Sequence, residues 1–270
     1  MKGKSWGLAA LIAVLLGGIA AYFLLFNPAD RPLPVTATIP SIPAPAAPEP
    51  APLPAPPPQP EPPATLHPIE ATPAETPLPE LGQSDAPFRK ALGEVLGKKG
   101  LALMLSEEII HHIVVTIDNL PRKHLPASVV PLKRVEGAFI SEGKDETLAI
   151  GTHNAARYAA YIAVAKAMDS AKLVSVYRLF YPLFQRAYAE IGYPKANFND
   201  RLVVAIDDLL AAPDPEPPVR LQQPKILFEY ADPDLEARSA GQKIMMRVGR
   251  ENATELKKKL AEIRKLIASP

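Results

Sequence analysis

The chain has no cysteine among its 270 residues. That absence excludes disulfides, thiolate metal sites, a thiol nucleophile and a lipid-modified cysteine. Net charge is small as well, +1 at pH 7, so no strong field marks nucleic acid as a partner. A Gly-rich phosphate loop, HExxH, GxSxG and any Ser-His-Asp signature are likewise missing. His111 and His112 are adjacent, hence about 100° apart around a helix, and cannot share a metal as an i, i+4 pair does. Glu107 and His111 have that i, i+4 spacing, for which a solvated ion pair is sufficient explanation. No catalytic residue, metal ligand or cofactor is therefore assigned.

Charge also vanishes locally. From Trp6 to Phe26 the chain carries no charged residue and is rich in Leu, Ala and Ile; as a helix it would be roughly 31 Å long, which suits a bilayer core. Lys2 and Lys4 precede this run, and no Lys or Arg occurs between Arg31 and Arg89. The positive-inside rule then predicts a single-pass membrane protein, with residues 1–5 in the cytoplasm, residues 6–26 in the bilayer and the rest across the membrane, in the periplasm if the cell has one. The competing reading is a cleaved signal peptide ending near Gly18–Ala21, but Tyr22–Phe26 continue the apolar run past that point.

What is abundant is proline, 33 residues, of which 20 lie between Pro28 and Pro79. Proline fixes φ and lacks an N–H, so residues 27–80 are expected to form a disordered or polyproline II tether that lifts whatever follows away from the membrane. The run Pro56, Pro57, Pro58 is a conceivable docking ligand, yet no basic residue flanks it to orient one.

After Glu80 ordinary globular composition returns, and residues 81–270 predict a mainly α domain with a small β-hairpin and short strands. Ser84 or Asp85 can cap a first helix with Phe88, Ala91, Leu92, Val95 and Leu96 on one face. A second helix is expected from Ser106, with Ile109, Ile110, Ile113, Ile117 and Leu120 inward and Pro121 as its stop. Residues 138–150 look like a hairpin around Gly143, followed by an Ala-rich helix over 154–168. A long helix over 170–191 carries an aromatic stripe, Tyr177, Phe180, Phe184 and Tyr188, read as core, and should kink at Pro182. Asn199 is expected to cap a helix bearing Leu202, Val203, Ile206, Leu209 and Leu210. The stretch APDPEPP at 212–218 reads as a surface connection and KILFEY at 225–230 as a strand. One short helix over 235–248 and a last helix over 251–268, apolar at Leu256, Leu260, Ile263 and Ile267, close the domain.

Several segments carry a resemblance: TIDNLPR (116–122), YRLFYPLFQRAY (177–188), GYPKANFNDRL (192–202), FEYADPDLE (228–236) and AGQKIMMRVG (240–249). Through them the chain resembles the bacterial domain-of-unknown-function 3014 family of uncharacterised membrane-anchored proteins. The resemblance implies an N-terminal anchor, a variable proline-rich tether and one domain without an assigned activity; it carries no catalytic residues across.

The best polar constellation joins DNLPRKH (118–124) to NDR (199–201) and Asp207, giving Asp118, Asn119, Arg122, Asn199, Asp200 and Arg201 as candidate binding residues. The same residues also suit a structural role, as caps and as an ion-pair cluster holding two helices together. Two functions follow. One is a cell-envelope interaction protein, with the bilayer bound through residues 6–26 and an envelope protein or the cell wall as partner. The other is an envelope enzyme using Asp118, Arg122, Asp200 and Arg201. A force transducer shares the layout, but such proteins place an ionisable group within the span, where this chain has no Asp, Glu, His, Lys or Arg.

Overall fold

The computed structural model describes residues 64–73 and 77–268. The expected membrane span at 6–26 and the greater part of the tether lie outside the described residues. Among the described residues, no helix is long and apolar enough to cross a membrane.

Eight α-helices form among them: α1 Asp85–Ala102, α2 Ile109–Asn119, α3 Ala159–Ala167, α4 Ser170–Glu190, α5 Phe198–Leu210, α6 Pro233–Glu236, α7 Ala240–Arg247 and α8 Arg250–Ile267. Two antiparallel strand pairs accompany them, β1 Ser141–Glu142 with β2 Ala149–Ile150, and β3 Leu221–Gln222 with β4 Glu229–Tyr230. Ile150 N–H donates to Val219 O and Leu221 N–H to Leu148 O, so the two pairs join edge to edge.

The apolar stripes read in the sequence are the faces that pack. In α2, Ile109, Ile110, Ile113 and Ile117 are buried against α4 and α5; in α8, Leu256, Leu260, Ile263 and Ile267 are buried against α3, α4 and α5. The aromatic stripe of α4 is core, as expected. Phe184 stacks on Phe198 of α5 at 5.6 Å, and Phe88 of α1 meets Phe180 and Phe184 edge-on at 5.0 and 5.6 Å, contacts worth about 0.5–1.5 kcal/mol each beyond area burial. A smaller cluster of Phe139, Leu221, Tyr230 and Met246 lies under the strands. The buried guanidinium of Arg247 lies 5.3 Å from the Tyr230 ring centroid and 5.9 Å from that of Phe139.

Several local expectations need correction. α2 begins at Ile109, not Ser106, because its first amides are capped from another helix: Asp85 Oδ2 and Oδ1 accept from Glu108 N–H and Ile109 N–H at 2.7 and 2.8 Å. The Ala-rich segment opens as a 310 turn at Asn154–Tyr158 before α3. Only Glu229–Tyr230 of KILFEY pairs as strand. The single helix expected over 235–248 is two, since Ser239 Oγ accepts from Gln242 N–H and starts α7 afresh. Inside α4, Pro182 sits in a continuous helical span. The acceptor its missing N–H releases, Arg178 O, is taken by Thr72 N–H at 3.2 Å.

That last bond marks a larger revision. The fold takes in residues upstream of 81: residues 64–73 lie against α4 and α5, with Ile69 part-buried on the main core.

Candidate functional site

Three of the six candidate residues come together as one ion-pair cluster, and the other three do not join it. Asp118, in the last turn of α2, is only 5% exposed. Its Oδ2 accepts from Arg122 Nη2 at 2.6 Å and its Oδ1 from Arg201 Nε at 3.0 Å. The Asp118 backbone carbonyl accepts from Arg122 Nε at 3.1 Å and from Arg201 Nη2. Arg122 also donates to the Tyr193 hydroxyl at 2.8 Å, and Tyr193 in turn stacks on Tyr188 at 4.7 Å. The hydrogen bond to Tyr193, followed by that to Asp118, raises the Arg122 guanidinium further above its ordinary value.

Asn119 turns back along its own helix and donates to Val115 O at 2.7 Å. Asn199 is not the cap of α5. That role falls to Asn197, whose Oδ1 accepts from Asn199 N–H at 2.9 Å. Two residues further in, Asn199 is fully buried: Oδ1 accepts from Tyr177 Oη at 3.2 Å, while Nδ2 donates to His67 O and Ile267 O, both at 2.9 Å. Burial pushes the Tyr177 hydroxyl well above its ordinary range, which keeps it a neutral donor. Asp200 faces residues 64–73 rather than Arg122, and accepts from Leu66 N–H at 3.1 Å and His67 N–H at 2.6 Å. The expected grouping of Asp118, Arg122 and Arg201 therefore stands, and Asp200 belongs elsewhere, because neighbouring residues on a helix point about 100° apart.

The cluster continues into residues that the sequence reading missed. Asp208 of α5 accepts from Ser239 Oγ at 2.6 Å and Gln242 Nε2 at 3.0 Å, and burial raises its carboxyl above the usual carboxylate range. Ala240 N–H and Gly241 N–H, in the first turn of α7, donate to Arg122 O and Leu120 O at 2.7 and 2.9 Å. Unsatisfied amides at the start of α7 thus meet unsatisfied carbonyls at the end of α2. The only sequence trace of this joint is the S-x-x-Q spacing of Ser239 and Gln242. Chemically it is a saturated structural joint among α2, α5 and α7.

The histidine pair behaves as expected for ordinary helix residues, with one change of partner. His112, not His111, approaches a carboxylate, Glu108 at 3.7 Å, and burial lowers the His112 imidazole below its ordinary value. Among the described residues no group of three or more His, Asp or Glu side chains could hold a metal ion.

A cleft of about 850 Å³ opens away from the joint, between the APDPEPP segment, the β-hairpin and the start of α8. Its proline wall is pinned. Arg250 donates to Asp214 at 2.8 Å and to Glu216 at 2.6 Å, which raises the guanidinium further, and Lys257 Nζ donates to Ala212 O at 2.6 Å. On the opposite side Glu142 Oε1 accepts from Thr152 N–H and Oγ1 at 3.0 and 2.9 Å. Gly249 precedes α8 at φ 91°, where a Cβ would stand 2.8 Å from Ala155 Cβ. This mixed polar and apolar cavity is of a size that suits a ligand or a segment of another chain.

A family model described as "Protein of unknown function (DUF3014)" matches residues 109–264. The matched span contains both the joint and the cleft. No curated protein and no solved structure matches the chain.

Proposed function

Because the chain belongs to the DUF3014 family, whose description assigns no activity, we propose from its architecture that it is a membrane-anchored cell-envelope protein whose helical domain binds another envelope component. The observation that carries this reading is the division of labour among polar groups. Asp118, Arg122, Arg201, Asn199 and Asp200 are all engaged in holding helices and chain segments, while the roughly 850 Å³ cleft, larger than the open pocket of about 360 Å³ beside Glu80 and His111, is a concave feature with both polar and apolar walls. The uncharged run at 6–26 and the proline-rich stretch after it supply the anchor and the reach. An enzyme centred on Asp118 and Asp200 is disfavoured, since each carboxylate already accepts two donors from the protein itself.

The test has two parts. Reporter fusions at the C-terminus should be active outside the cytoplasm; activity only inside it refutes the topology. Photo-crosslinking residues placed at Thr152 and Glu251 in the cleft should give a discrete adduct in intact cells, and one at exposed Lys90 should not. Equal patterns from all three positions refute the binding surface.

A further inference from the structure

We propose that residues 64–73 are a releasable strap, and that Asn199, Asp200 and the carbonyl freed by Pro182 form its seat, so that the tether has two working lengths. The hydrogen bonds from Asp200, Asn199 and Arg178 all reach the strap's main chain. Asp200 accepts from Leu66 N–H and His67 N–H, Asn199 Nδ2 donates to His67 O, and Arg178 O accepts from Thr72 N–H. Each half of the seat has a reason of its own. Arg178 O is available because Pro182, four residues later, has no N–H to donate to it. Asn199 is held in place from both sides, by Tyr177 Oη and by Ile267 O. The seat thus grips the main chain at a bend over Leu66 and His67 and again at Thr72.

The hold is light by construction. Leu66 is 72% exposed and Ile69 is only part-buried, while the buried Nδ1 of His67 has no hydrogen-bond partner. An unsatisfied buried polar atom favours the open state, where water reaches it. The buried residues of the main core, by contrast, all come from Phe88 onward, and Ile69 of the strap only packs against them from outside. Docked, the strap holds this part of the tether beside α4 and α5; released, its ten residues add up to about 30 Å of reach. The consequence for distance from the membrane rests on the anchor proposed above, whereas the strap and its seat stand apart from it.

The test uses the full chain in detergent or nanodiscs and exploits the absence of native cysteine. Spin labels at Ala64→Cys in the strap and Lys172→Cys on exposed α4 read the distance between them by electron–electron resonance. The otherwise unaltered chain should give a distribution dominated by one narrow distance. Asp200→Ala, which removes both acceptors, should move most of it to a broad, longer distribution with the melting curve unchanged. Asp200→Asn, which keeps one acceptor oxygen, should fall between the two. A broad distribution in the parent, or a narrow one in Asp200→Ala, overturns the seat. A melting transition lost or strongly lowered in both Asp200 variants overturns the latch, because the strap would then be a fixed part of the fold. None of these readings depends on where the domain sits relative to a membrane.

Discussion

Truncating Asp118 to alanine is the sharpest probe of the α2–α5–α7 joint. The carboxylate side chain is 7% exposed, Arg201 is 22% exposed and Arg122 is 48% exposed. Breaking a fully buried ion pair from one side costs about 3–5 kcal/mol, and Arg201 is close to but not at that limit. Arg122 is half in water and adds no more than about 1 kcal/mol. Asp118→Ala should therefore destabilise by about 3 kcal/mol, which for a domain of this size lowers the melting temperature by roughly 6–12 °C. Thermal melts followed by circular dichroism at 222 nm on the full-length protein would measure it. A double-mutant cycle with Arg201→Ala should return a coupling of about 1.5–3 kcal/mol. If Asp118→Ala melts within about 2 °C of the parent protein, the joint is not structural, and the cluster would have to be reconsidered as a binding site.

Three further outcomes follow from single contacts. Pro182→Ala restores a donor for Arg178 O and should raise the melting temperature, by less than the roughly 3 kcal/mol of a mid-helix proline because Thr72 already occupies that acceptor; an unchanged or lower melt contradicts this. Gly249→Ala forces a Cβ at φ 91° to within 2.8 Å of Ala155 Cβ and should cost about 1–3 kcal/mol, read as a lower urea midpoint with unchanged slope. The folded-state imidazole of His112 is depressed by burial, an effect that Glu108 and Asp85 oppose and His111 reinforces. Its contribution is thus present above the unfolded value near 6.5 and is lost as pH falls through that value and the lower folded one. The His112→Leu protein should lose less stability than the parent between pH 7 and 5, and equal losses in the two refute the assignment.

Helix faces were legible wherever apolar residues recur at three- and four-residue spacing, as in α2, α4, α5 and α8, because burial rewards that spacing directly. Ion pairing between α2 and α5 was legible too, since Asp118, Arg122 and Arg201 flank strong apolar stripes. Caps were less so. Asn197 and Asn199 are the same residue type two positions apart, and composition cannot say which of them stands outside the helix and which is carried into the core. Asp85 looked like a cap for its own helix and instead caps α2, more than twenty residues later. Side chain to backbone bonds across such separations leave no local pattern. The same holds for Asp208, Ser239 and Gln242, and for the seat of residues 64–73, whose proline-rich composition reads as spacer while its amides find partners in Asp200 and Arg178.

The two hydrogen bonds from Asn199 Nδ2 have a topological consequence. They run to His67 O and Ile267 O at 2.9 Å each, so carbonyls two hundred residues apart in sequence lie within about 6 Å of one another. The domain's first and last described segments therefore meet at a single buried amide, and a short linker could join them without disturbing any helix. A circular permutant closed there and reopened at the exposed bend around Ile226, which is 84% exposed, should keep the native helical content.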